Sequence, residues 1–271
     1  MFKKMRNQGV LMIDVAAQNR TAWNRESASG EGEWSQPVDA ETIGRARRGE
    51  VEIILTPNRI VPLDWFGELA GSRVLGLASG GGQQVPVLAA AGAEVTSFDN
   101  SDEQLARDRE VAQRDGLDLR LEQGDMMDLS RFEAQSFDLV FNPVSTIFVP
   151  DVERVWQEVR RILKPGGRLL TGVMNPAFYM FDHDAIEAGA EPVVKYPLPF
   201  DDTRHLDKAG LDKRIAAEEH LEFSHTLDSL IGGLLRSGFV LRDFYEDDWS
   251  DEATPLNRYM KVSFAMLAEA V

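Results

Sequence analysis

The chain has 271 residues, 43% of them hydrophobic and 27% charged, with no cysteine and a formal net charge of −16. Its length suits one α/β domain with decorations, or one domain and a small lid, and leaves little room for a second full domain. The absence of cysteine excludes disulfides, thiolate metal sites and cysteine nucleophiles, and the acidic balance weighs against nucleic acid, whose phosphates are met by clustered Lys and Arg.

The N-terminus, Met1-Phe2-Lys3-Lys4-Met5-Arg6, has the charge of an export signal, but Asn7, Gln8 and Asp14 break any apolar continuation. No signal is expected, nor any run of about 18 apolar residues that would span a bilayer, so the expectation is a soluble, cytoplasmic chain. Residues 1–70 read as an N-terminal helical extension packed on the core. From 17 to 50 the composition is polar, with Gly30-Glu31-Gly32-Glu33 between Trp23 and Trp34, which predicts short helices and loops. The two indoles are costly to leave in water; they are expected to cover the core in preference to closing over a ligand. The basic spots Arg45-Ala46-Arg47-Arg48 and Arg160-Arg161 read as solvated helix surface.

The main domain is expected over 71–271. Arg73 to Ala78 is a short apolar run followed by glycines and by a helical stretch through Val85, Leu88 and Ala91 to Gly92, with Pro86 tolerated in the first turn. Glu94 to Asp99 predicts a second strand, Asp102 to Gly116 a helix and Leu117 to Glu122 a third strand, before a turn at Gly124-Asp125. Ser136 to Phe141 predicts a fourth strand and Asp151 to Leu163 an amphipathic helix. Lys164-Pro165-Gly166-Gly167 stops that helix, and Arg168 to Met174 is a fifth strand. This alternation predicts a parallel sheet covered on both faces. Residues 176–222, with Pro176, Pro192, Pro197 and Pro199, read as an insertion or lid. A helix from Leu227 to Arg236 and strands Phe239 to Tyr245 and Tyr259 to Met266 follow, the last two paired antiparallel across a short acidic turn.

A strand that ends in glycines and opens a helix can present main-chain N–H groups to an anionic ligand, and Gly80, Gly81 and Gly82 allow close approach. Asp99 ends the neighbouring strand, where a carboxylate can accept hydrogen bonds from both hydroxyls of a ribose. The pairing of the two features points to an adenosine-bearing ligand.

Several segments together resemble the successive motifs of class I S-adenosylmethionine-dependent methyltransferases of the small-molecule type. They are Val74-Leu75-Gly76-Leu77-Ala78-Ser79-Gly80-Gly81-Gly82, Ala89-Ala90-Ala91-Gly92-Ala93-Glu94-Val95, Phe98-Asp99-Asn100-Ser101, Gly124-Asp125-Met126 and Leu163-Lys164-Pro165-Gly166-Gly167-Arg168-Leu169. The resemblance implies a Rossmann-like, doubly wound seven-stranded sheet, mostly parallel with an antiparallel last strand, and S-adenosyl-L-methionine as cofactor. It further implies that the Ala78 to Gly82 loop meets the methionine part, Asp99 and its neighbour Asn100 the ribose, Gly124, Asp125 and Met126 the adenine, and Asn142 the methionine or methyl end. Two positions depart from the pattern: Gly76 stands where an acid is common and Ala78 where the first glycine is usual. The Gln83-Gln84 pair, Gln84 above all, is expected to compensate with amide hydrogen bonds.

Methyl transfer by in-line displacement mainly requires alignment and exclusion of water, so a strong catalytic group is not needed. His183, His205, His220 and His225 are the candidates for a general base, with His183 and His225 placed to face a substrate; no catalytic residue is assigned and no metal is expected. The competing readings are a nicotinamide-dependent oxidoreductase and a non-catalytic binding protein that keeps the fold. The acceptor is read as a small molecule of unspecified identity.

Overall fold

A computed structural model describes residues 13–250 and 252–271. The basic start Met1 to Arg6, read above as no export signal, lies outside the described residues. Three helices precede the sheet: α1 (Val15–Ser29), α2 (Ala40–Ala46) and α3 (Leu63–Phe66). The alternation that follows is β1 (Arg73–Leu77), α4 (Val85–Ala90), β2 (Glu94–Asp99), α5 (Asp102–Asp115), β3 (Leu119–Gln123), β4 (Phe137–Asn142), α6 (Val152–Ile162) and β5 (Leu163–Met174). Residues 176–222 carry α7 (His183–Glu187), α8 (Asp202–His205) and α9 (Lys208–Ala216), and the chain closes with α10 (Gly233–Arg236), β6 (Phe239–Asp247) and β7 (Ser263–Ala270).

The seven strands lie in the order β3-β2-β1-β4-β5-β7-β6, with β7 antiparallel to both neighbours and the rest parallel. The order reverses between β1 and β4, so the loops leaving the carboxyl ends of β1, β2, β3 and β4 surround one crevice, where open α/β sheets hold ligands. The helix α6 shows why the sheet is covered: Val152, Val155, Trp156, Val159 and Ile162 fall on one face and are all buried, while Asp151 caps its first turn through Arg154 N–H. The two sheet faces have separate apolar cores, one around Trp156 and Phe98, the other around Trp65 and Phe141. A third cluster joins Met174, Phe178, Tyr179 and Phe200 under the insertion.

The last strand starts four residues later than the sequence predicts, because Pro255 to Arg258 form a 3-10 turn capped by Thr254 and leave Tyr259 exposed. Lys164 to Gly167 lie within β5 as an irregularity: Phe137 pairs with Leu163, and the ladder resumes only at Leu139 with Arg168. The basic spots are engaged internally. Arg160 donates to Gly238 O, Arg161 to Phe132 O and Leu129 O, and Arg47 to Asp115 O.

Helix α1 packs by polar contacts. Asn19 Nδ2 donates to Phe148 O and Leu221 O, each at 3.0 Å, and its Oδ1 accepts from Leu221 N–H. Asn24 accepts from Ser101 Oγ at 2.6 Å, and Arg107 donates to Ser27 O at 2.7 Å. The helix thereby ties the loop after β4 and the end of the insertion to the start of α5. Among the described residues no helix is long and apolar enough to cross a membrane.

Candidate active site

A cavity of about 640 Å³ opens at the carboxyl ends of β1 to β4, with α1 and the 33–34 segment on one side and the insertion on the other. Ala78, Ser79, Gly80, Gln84, Asp99, Asn100, Gly124, Asp125 and Met126 all line it. Gly81, Gly82 and Asn142 do not. The volume is ordinary for a small-molecule site.

The glycine bend works differently from the sequence expectation. The N–H groups of Gly80, Gly81 and Gly82 donate to Asp99 Oδ2 at 3.0 Å, Gln104 O at 3.0 Å and Asp108 Oδ1 at 2.8 Å, so all three are bound within the protein. Helix α4 has only six residues. What the glycines provide is close approach: a Cβ on Gly80 would sit 2.8 Å from Gln104 Cβ and 3.2 Å from Asp99 Oδ2. Gly81 and Gly82 face the N-terminal segment, where Trp34 O would lie 2.2 Å from a Cβ on Gly81. The two departures from the usual pattern have local explanations. A side chain on Gly76 would meet Val85 Cγ2 at 2.5 Å and Ser79 Oγ at 2.7 Å, and Ala78 holds the left-handed conformation at φ 48° that glycine usually takes.

Asp99 sits at the bend, accepting from Gly80 N–H on one oxygen and Ser101 N–H at 2.9 Å on the other. Burial pushes its carboxyl up to about 6, against the opposing pull of those N–H donors. Asp108, fully buried beneath it, accepts from Ser97 Oγ at 2.6 Å and Gly82 N–H, and burial pushes its carboxyl up to about 7 from an ordinary 3.8. A folded-state acid that holds its proton more tightly than the unfolded chain stabilises the fold below pH 4 and loses that contribution as pH rises toward 7. Asp108→Asn keeps an acceptor for Gly82 and has no proton to release. Its melting temperature relative to the native chain is therefore expected to climb between pH 4 and 7 in scanning calorimetry, and parallel curves would contradict the assignment.

Asp125 accepts from Met127 N–H at 2.9 Å through Oδ1, and burial raises its carboxyl. Asn100 is on the wall, and its amide is engaged by α1, accepting from Arg20 Nε and donating to Ala16 O. Asn142 is wholly buried and is not on the cavity wall: its amide donates to Leu77 O and Ser145 Oγ and accepts from Thr171 Oγ1, so it braces the loop after β4. Gln83 and Gln84 both line the cavity; Gln83 donates to Glu33 O, while the Gln84 amide has no hydrogen-bond partner among the described residues.

Of the histidines, His183 and His220 line the cavity. His183 Nε2 bonds Phe178 O with its ring stacked at 3.9 Å on Phe178, and burial lowers its pKa. His220 lies 4.5 Å from Trp23 and 5.1 Å from Phe148, and burial drops it to about 4, so it is neutral at physiological pH. His225, expected to face a substrate, instead bonds Thr146 O away from the cavity, and His205 is tied to Asp201. Trp23 and Trp34 also line the cavity and belong to neither sheet core, contrary to the expectation of core cover.

Sequence reasoning missed Glu222, Tyr179, Asp202 and Arg214, which the insertion brings to the same wall. Tyr179 OH donates to Glu222 Oε2 at 2.8 Å across 43 residues of chain, a pairing that no local spacing signals.

A family model described as a methyltransferase domain matches residues 75–171. The uncharacterized methyltransferase YbaJ of Bacillus subtilis is 44% identical over 236 residues, covering 87% of this chain and 92% of that protein. Among solved structures, geranyl diphosphate C-methyltransferase from Streptomyces coelicolor superposes with a TM-score of 0.61 at 14% identity, covering 96% of this chain and 99% of that one. The 1,6-didemethyltoxoflavin-N1-methyltransferase of Burkholderia thailandensis gives 0.57 at 16% identity, covering 94% and 88%. At those identities the two structures establish a shared fold.

Proposed function

Since this chain belongs to the class I S-adenosylmethionine-dependent methyltransferases, we propose that it methylates a small molecule held in the cavity between α1 and the insertion. The residues present fit the cofactor. Gly80 has no room for a side chain and so brings the backbone of the bend onto the cavity wall, Asp99 is bonded to it there, and Asp125 and Met126 line the same cavity. Asp99 would hold the ribose hydroxyls, Asp125 the adenine amino group, Met126 the ring and Gln84 the amino-acid end. When bound, S-adenosylmethionine supplies an electrophilic methyl group, so the chain's task is to align the acceptor and exclude water.

The observation that carries the acceptor reading is the continuity of one cavity from the Asp99 bend to the aromatic insertion, lined also by Trp23 and Trp34. It offers room for two small ligands, and among the described residues that line it there is one Lys or Arg, Arg214. Thermal-shift titration tests the cofactor half: S-adenosylhomocysteine is expected to raise the melting temperature and NAD to leave it unchanged. Stabilisation by NAD alone would overturn the proposal.

A further inference from the structure

Among the polar groups on the cavity wall with no part in holding the cofactor, Glu222 is the best placed for chemistry. Its backbone is fixed on both sides: Leu221 N–H donates to Asn19 Oδ1, and Phe223 N–H donates to Ile147 O. Its Oε2 accepts from Tyr179 OH at 2.8 Å, while Oε1 has no protein partner among the described residues and the side chain lines the cavity. Tyr179, which holds it, belongs to a group of aromatic rings on the same cavity. Tyr179 stacks on Phe200 at 5.7 Å, and Tyr196 lies 4.9 Å from Phe200. Arg214, the one arginine on this wall among the described residues, is committed to Asp202 at 3.3 Å. A carboxylate on a cavity that also carries the rings of Phe178, Tyr196 and Phe200, with no uncommitted Lys or Arg among the described residues that line it, disfavours anionic acceptors and favours an ammonium ion.

Resting on the reading of this cavity as the methyl-transfer site, we infer that the acceptor is an amine that enters as its ammonium form, packs its apolar part on the rings of Phe178, Tyr196 and Phe200, and gives a proton to Glu222. An N–H bond breaks and its proton passes to Glu222 Oε1. The lone pair so freed forms the new N–CH3 bond while the donor's carbon–sulfur bond breaks and leaves its electron pair on sulfur. The product departs as a methylated ammonium with S-adenosylhomocysteine. Tyr179 acts as a positioning residue that holds the carboxylate edge toward the cavity. The groups facing Glu222 are Tyr179, Asp202 from α8 and Arg214 from α9; burial raises its carboxyl above the ordinary 4.5, the Asp202 charge adds to the rise, and Tyr179 and Arg214 oppose it. A raised carboxyl is the better match for an ammonium proton.

The test uses three acceptors of one shape, 2-phenylethylamine, 2-phenylethanol and 3-phenylpropanoate, with S-adenosylhomocysteine formation as the rate and calorimetric S-adenosylhomocysteine affinity as a separate readout. The amine alone is expected to be methylated, with a rate that rises with pH through the Glu222 titration. Glu222→Gln is expected to lower kcat/KM for the amine by about 100-fold or more while S-adenosylhomocysteine affinity stays within a factor of about two. Tyr179→Phe, which keeps the ring packing, is expected to displace the pH profile to higher pH, because its hydroxyl lowers the Glu222 carboxyl, with a smaller loss of rate. The inference is overturned by methylation of the alcohol or the carboxylate in place of the amine, by a Glu222→Gln rate near that of the native chain, or by failure of all three acceptors in protein that binds S-adenosylhomocysteine. Failure to bind S-adenosylhomocysteine would instead sink the reading of the site itself.

Discussion

Replacing Asp99 by alanine is expected to weaken S-adenosylhomocysteine binding by roughly 100-fold, about 2.7 kcal/mol, as measured by calorimetry. The variant loses two charge-assisted acceptors for the ribose hydroxyls and leaves Gly80 N–H without its partner at 3.0 Å. The same carboxyl sets a pH dependence. Burial holds it at about 6, and only the ionised form offers both oxygens as acceptors, so affinity is expected to fall as pH drops below 6 and to level off above it. In Asp99→Asn that pH dependence should vanish while part of the affinity remains, because the amide oxygen can still accept. An Asp99→Ala protein that binds as the native chain does would remove the ribose contact from the account.

The second large effect is expected at Gly81. Its φ of +113° disfavours any side chain, and a Cβ would stand 2.2 Å from Trp34 O, a backbone atom that cannot rotate aside. The segment around Trp34 is pinned to the bend by Val38 N–H donating to Gly82 O and by Gln83 donating to Glu33 O. Gly81→Ala must therefore push the N-terminal segment off the cofactor loop. A loss of at least ~2 kcal/mol in stability is expected, together with a fall of about tenfold or more in S-adenosylhomocysteine affinity. Gly116→Ala is the matched control: its φ is also positive, at +64°, but nothing lies within 4 Å of the added methyl. That variant should lose only about 1 kcal/mol and no affinity. Equal losses in the two variants would show that backbone conformation alone, and not the approach of Trp34, sets the cost.

The parts of the molecule written locally in the chain were legible. A strand ending in glycines, an acid at the next strand end and Gly124-Asp125 after the third are each contained within a few residues, and the sheet collects them because β1, β2, β3 and β4 share one direction. Helix α1 carries no apolar stripe to mark it, because its buried positions are Asn19, Ala22 and Ser27, of which Asn19 is held by side-chain hydrogen bonds. The same polarity hid its place on the cavity wall, and with it that of Trp23. Asn100 and Asn142 lie in the expected loops, yet their amides are taken up by α1 and by Thr171, partners distant in sequence. The acceptor wall was illegible for a related reason: Tyr179 and Glu222 meet only after the insertion folds back, and proline-rich chain between them carries no period from which to infer the contact.

The most direct test of the central claim is a crystal structure of the protein with S-adenosylhomocysteine. The account predicts the ribose hydroxyls within hydrogen-bond distance of the Asp99 carboxylate, the adenine beside Asp125 and Met126, and the thioether directed toward the wall that carries Tyr179 and Glu222. Density for the nucleoside elsewhere, with Asp99 bonded only to Gly80 and Ser101, would contradict it.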